Sequence, residues 1–137
     1  MKKYLFIIFI VYSVNSFSEE GYSGHFKGNE NMELMCGRNI DRITNHWEVT
    51  ITSMGPDSFI GKVDPRYGLI TYKGTIDEEG KAKGRIRGLD TGGIRRTGFF
   101  NAIVDGDELT MDVNGMISSG SCHFRSRINA TRFNSSK

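Results

Sequence analysis

Clusters of Gly, Asn and Asp recur along this chain at intervals too short for any parallel crossover, and this spacing constrains the fold more than any other feature. They fall at Gly28-Asn29, Gly37-Arg38-Asn39, Gly55-Pro56-Asp57, Asp64-Pro65, 77–80, Gly92-Gly93, 105–107 and Asn114-Gly115. Gly reverses a chain because it accepts positive φ, and Asp and Asn because their side chains hydrogen-bond the nearby backbone. Between the clusters, apolar residues alternate with polar ones. Met32, Leu34 and Cys36 share one face of an extended strand; so do Trp47, Val49 and Ile51, then Ile70, Tyr72 and Ile76, then Leu109, Met111 and Val113. Helical spacing is sustained nowhere after the first 18 residues.

This pattern predicts strands near 22–27, 31–37, 46–53, 58–63, 69–77, 81–88, 96–104, 107–113 and 119–132. The first two are expected as pieces of one strand broken by a turn at Gly28-Asn29, which leaves about eight strands. Parallel neighbours need crossovers of about a dozen residues, so sequential strands must pair antiparallel as hairpins. The segments 74–84 and 101–111 read as two copies of one hairpin, each a strand, an acidic Gly turn and a strand.

The first residues are of another kind. Lys2 and Lys3 precede an unbroken apolar run from Tyr4 to Tyr12, and Ser16-Phe17-Ser18 supplies a small-x-small cleavage site. The run reaches only Val14 before Asn15, short of the ~20 residues that span a bilayer, so residues 1–18 are expected to be a signal peptide rather than an anchor. The remainder, 19–137, is the length of one compact domain, expected to be exported to the periplasm or medium with no membrane span after cleavage.

Export makes Cys36 and Cys122 legible. They are the only two cysteines, and in an oxidising compartment such a pair forms a disulfide. His25, His46 and His123 are scattered and provide no Cys/His spacing for a metal, so no metal or cofactor is expected. Cys36 shares a face with Met32 and Leu34, and Cys122 with Phe124, Ile128 and Ala130, so both sulfurs should point inward. A bridge needs Cα atoms within about 7 Å. It therefore draws the first and last strands together and implies an all-β meander closed into a small barrel or tightly curled sandwich.

Composition narrows the function. Apolar residues make up 37% and there are 17 Gly and 2 Pro, which excludes disorder and collagen. Lys plus Arg total 18 against 16 acids, but two of the lysines lie in the leader, so the mature chain carries no net charge that would argue for nucleic acid. Asp90-Thr91-Gly92 matches an aspartic-protease triplet, but it follows a basic segment and occurs once, so a hairpin turn is expected there. Asp105-Gly106-Asp107 and 112–115 lack the spacing and closing Glu of a calcium loop. No nucleophile elbow occurs, and the chain is not expected to be an enzyme.

The sharpest candidate is charge. Lys81, Lys83, Arg85 and Arg87 alternate with small and apolar residues and so line the outer face of one strand, and Arg125 and Arg127 repeat the pattern on the last. Such stripes suit the phosphate or sulfate groups of lipopolysaccharide or acidic polysaccharide. No Phe, Tyr or Trp interleaves with these cations on that face, which argues against base stacking and nucleic acid.

A leader, an early Cys, the acidic Gly hairpins, the stretch 98–109 and a final Gly120-Ser121-Cys122-His123-Phe124 together resemble the small exported β proteins of proteobacteria. The resemblance spans residues 21 to 133. It implies an exported β fold with one N-to-C disulfide and carries no catalytic residues with it. In architecture the chain is also similar to avidin and lipocalin barrels and to periplasmic barrel inhibitors. The expectation is a non-catalytic binding protein. The alternative is an inhibitor of a secreted hydrolase, acting through residues 19–22 or the loop Pro65 to Gly68.

Overall fold

The computed structural model describes residues 22–52, 57–117 and 122–133. Residues 1–18, expected as a leader, and residues 19–21 lie outside these described residues. Eight antiparallel strands follow one another: β1 (Gly24–Cys36), β2 (Asn39–Thr52), β3 (Ser58–Val63), β4 (Leu69–Ile76), β5 (Lys81–Leu89), β6 (Arg95–Asp105), β7 (Glu108–Ile117) and β8 (Cys122–Phe133). Each pairs with the next, and β1 pairs with β8, so the meander closes into a barrel. Closure satisfies the two edges that an open meander would leave unpaired.

The disulfide forms at the closing seam. Cys36 and Cys122 are directly opposed in the β1–β8 register, their Cα atoms 4.3 Å apart. The seam runs from this bridge to the pair His25 and Phe133 at the other end.

Alternation carried the inward set correctly. Trp47, Val49, Ile51, Ile70, Tyr72, Ile76, Leu109, Met111 and Val113 all lie in the core. Phe26, Phe59, Tyr72, Phe100 and Phe124 fill much of the interior, and Tyr72 meets Phe100 edge to face with ring centroids 5.6 Å apart. At roughly 25 cal/mol per Å² of apolar surface removed from water, these large side chains supply the main driving force for closure.

Two expected turns do not exist. Gly28-Asn29 lies inside an unbroken β1, and Asn114-Gly115 lies inside β7. Both glycines fall on the inward face, and a Cβ on Gly28 would overlap the carbonyl oxygen of Asn129 on β8. Gly74 faces Gly84 across β4–β5, and Gly98 faces Gly115 across β6–β7, with the same overlap at each. Glycine here serves close approach of neighbouring strands, a role that looks identical to a turn in a one-dimensional reading. The repeated hairpins are real: β4–β5 turns at 77–80 and β6–β7 at 105–108.

Candidate anion-binding face

Alternation along β5 sends Lys81, Lys83, Arg85 and Arg87 outward, and β8 does the same with Arg125 and Arg127; all six are exposed. β5 and β8 are separated by β6 and β7, yet the register joins the two stripes. Reading across the wall, Lys73 faces Arg85, Arg85 faces Phe99, Phe99 faces Asn114, Asn114 faces Arg125, Arg125 faces Glu33 and Glu33 faces Arg42. At ~4.8 Å per strand, Lys73 and Arg125 stand about 19 Å apart along this row.

Ion pairing sorts the cations. Lys81 reaches Glu79 at 3.4 Å, and Arg127 donates from Nε and Nη2 to the two oxygens of Asp112 at 2.8 and 3.1 Å. The Asp112 hydrogen bonds raise the Arg127 pKa above its ordinary value. Lys73, Lys83, Arg85, Arg87 and Arg125 have no ion-pair partner among the described residues. These five, like Arg38, Lys62 and Arg95, have charge left to offer among the described residues.

The expectation that no aromatic accompanies the stripe is corrected by the structure. Phe99, 63% exposed, projects from β6 beside Arg85, whose guanidinium carbon stands 5.7 Å from the ring centre. An aromatic on the adjacent strand is invisible when a single strand is read lengthwise. Lys73 was missed for the same reason. The hairpin itself carried the signal: the 77–80 turn fixes the β4–β5 register, and counting back from it sets Lys73 against Arg85.

Two shallow grooves lie along this belt. One is bordered by Lys73, Arg85, Arg87, Phe99 and Met116; the other by Arg42, Arg125, Arg127, Glu33 and Asp112. Asn114 lines both and connects them. The first offers apolar surface and unpaired cations, whereas the second is crossed by the Arg127–Asp112 and Arg42–Glu33 pairs.

The other sequence candidates separate clearly. Asp90 is a turn residue: its Oδ1 accepts from the Gly92 and Ile94 amides at 2.9 and 3.0 Å. Its Oδ2 lies 3.6 Å from Nε of Arg96, which in turn reaches Glu30 inside the barrel. His25, His46 and His123 all face outward, and His25 Nδ1 lies 2.7 Å from Thr50 Oγ1. Among the described residues no three His, Cys, Asp or Glu side chains gather as a metal site.

The interior holds polar groups that alternation did not reveal. Glu30, Arg96 and Ser126 are buried, and Ser126 Oγ has no hydrogen-bond partner among the described residues. Burial pushes the Tyr72 phenol well above its ordinary pKa, with nearby Glu30 acting in the same direction and a hydrogen bond from Trp47 opposing it. A phenol held neutral in this way acts as a packing and hydrogen-bonding group, not as a base.

At the Pro65–Tyr67 turn, Asp64 caps the single 3-10 turn by accepting from the Arg66 amide at 2.9 Å. Arg66 reaches Glu48 at 2.5 Å and Asp64 at 3.0 Å, and the ring of Tyr67 meets His46 edge to face. The loop is therefore fastened to the outer wall at β2.

No protein-family model and no curated protein matches the sequence. Among solved structures, the barrel is similar to part of the vaccine antigen Transferrin Binding Protein B from Haemophilus parasuis Hp5, determined as a single-residue mutant. The TM-score is 0.54 at 15% identity. The match covers 81% of this chain and 27% of that one, so this chain spans about a quarter of its neighbour's length. At this identity the likeness concerns the fold.

Proposed function

We propose that this chain is an exported, non-catalytic binding protein whose outer β4–β8 face holds a partner bearing phosphate or sulfate groups, of the lipopolysaccharide or acidic-polysaccharide class. The observation that carries the reading is the cross-strand row from Lys73 through Arg85, Phe99 and Asn114 to Arg125, whose three cations lack ion-pair partners among the described residues. Unneutralised cations concentrated on one face create a local potential that attracts anions even where net charge is near zero. On this reading residues 1–18 are a cleaved leader and 19–137 the exported domain. The seam disulfide is of the kind that persists in oxidising compartments. The same barrel fold serves, in the structural neighbour, a protein named for binding transferrin.

The inhibitor reading draws less support. Its loop candidate, Pro65 to Gly68, has Arg66 already engaged by Glu48 and Asp64, which leaves that cation little to offer a hydrolase.

Retention on a sulfated matrix tests the proposal. Wild-type protein is expected to bind at low salt and to elute steeply as salt rises, because the attraction is electrostatic and screened. Arg85→Gln/Arg87→Gln should elute at clearly lower salt, while Lys81→Gln, which removes a cation already paired with Glu79, should shift elution less. No wild-type retention at low salt overturns the reading.

A further inference from the structure

The β4–β7 face carries more than charge. Three successive register rows cross it. Leu69 faces Leu89, which faces Arg95; Thr71 faces Arg87, then Thr97, then Met116; Lys73 faces Arg85, then Phe99, then Asn114. Strands ~4.8 Å apart and rows ~7 Å apart make a patch about 14 Å on each side. Leu69 is 65% exposed, Phe99 63%, and Met116 and Leu89 are exposed as well. A single exposed apolar residue is ordinary, but here Leu69 pairs with Leu89 on one side of the patch and Phe99 lies diagonal to Met116 on the other, with Arg87 and Thr97 between them. No carboxylate stands in the three rows.

Resting on the anion-binding reading above, we infer that this face seats on an anionic lipid surface, with Lys73, Arg85, Arg87 and Arg95 at its phosphates and Leu69, Leu89, Phe99 and Met116 at the boundary between headgroups and acyl chains. A hydrated polysaccharide would satisfy the cations but leave the apolar side chains in water. Three of the four are aliphatic and have no ring face to stack on a sugar or a base. Acyl chains remove all four from water, which is where burial of apolar area gains free energy. The long Arg and Lys stems lie along the apolar groups while their heads reach the phosphates. Cations near an anionic membrane strengthen attachment by about fivefold each, and the apolar contacts supply what salt does not screen.

Co-sedimentation with vesicles decides the matter. The purified protein is expected to bind phosphatidylglycerol/phosphatidylcholine vesicles at physiological salt and not pure phosphatidylcholine. Phe99→Ser/Met116→Ser should weaken vesicle binding at least tenfold and retention on soluble dextran sulfate by a smaller factor. Both positions are exposed, and thermal melts verify that the variants fold. Phe99→Trp should show quenching by brominated lipid when bound, which attraction from a distance does not produce. If dextran sulfate is held but vesicles are not, or Phe99→Trp escapes quenching, the lipid inference falls and the anion-binding reading stands. If neither is bound at low salt, both fall.

Discussion

Glu30 and Arg96, 66 residues apart in sequence, meet inside the barrel with Oε2 3.3 Å from Nη1. Both side chains are less than a tenth exposed, and Arg96 also lies over the Phe124 ring with its guanidinium carbon 5.5 Å from the centre. Removing one partner strands the other charge in the core, which typically costs 3–5 kcal/mol. Arg96→Met should therefore lower the unfolding free energy by about that much in urea melts. The double variant Glu30→Met/Arg96→Met should recover most of the loss, because no charge is then stranded inside the barrel; Asp90, which also loses Arg96, is partly exposed and keeps its amide hydrogen bonds. A single variant as stable as wild type would show that the pair contributes nothing.

The seam disulfide spans a sequence separation of 86 residues. Chain-entropy arguments give such a cross-link about 4 to 5 kcal/mol, reduced where the unfolded chain retains structure. Cys36→Ser/Cys122→Ser is expected to keep the β-sheet circular dichroism of the native barrel, since the rest of the seam is hydrogen-bonded, and to melt at much lower denaturant. Equal midpoints with and without reductant for wild type would contradict this.

Inward glycines should be the least replaceable residues on the surface strands. A Cβ at Gly84 would overlap the carbonyl oxygen of Lys73, a backbone atom that cannot swing aside. Gly84→Ala is expected to destabilise by about 3 kcal/mol or more. Gly92→Ala is the matched control: there the nearest atom, Asp90 Oδ1, stands at 3.4 Å and the φ angle is not positive. It should lie within about 0.5 kcal/mol of wild type.

The turn before β4 has a pH signature. Hydrogen bonds from the Arg66 side chain, and then from its amide, hold the Asp64 carboxyl below its ordinary value of 3.8. A carboxylate whose folded pKa is depressed adds stability that is fully present above the unfolded value and is lost as pH falls through the folded one. The window therefore lies below about pH 4. Asp64 should titrate with a depressed midpoint by NMR, and Arg66→Ala should move that midpoint upward.

What was legible in the sequence follows from the period of two. Trp47, Val49 and Ile51 announced an inward face because polar residues separate them, and the inward cysteines on the first and last strands announced closure. The faces of Lys81 through Arg87 were readable for the same reason. What lies across strands was not. Phe99 joins Arg85 only through the β5–β6 register, and Arg125 joins them only through β7. Gly28 and Gly115 read as turns because sequence shows that glycine is needed without showing whether a backbone bend or an approaching carbonyl requires it. Glu30 and Arg96 broke the alternation by placing charge on the inward face, and only their meeting in space explains both.

The position of the disulfide decides how the barrel bears tension. The first and last strands leave from the same rim, where His25 and Phe133 are paired, while Cys36 and Cys122 are joined at the far end of the seam. Pulling on the two ends peels β1 from β8 one hydrogen-bonded pair at a time until the load reaches the bridge. There it passes through the sulfurs and goes no further. The six strands from Asn39 to Ile117 lie within the covalent loop, off the covalent path of the load. A domain pulled by its ends thus loses its seam by unzipping while the wall that presents Arg85 and Phe99 stays folded.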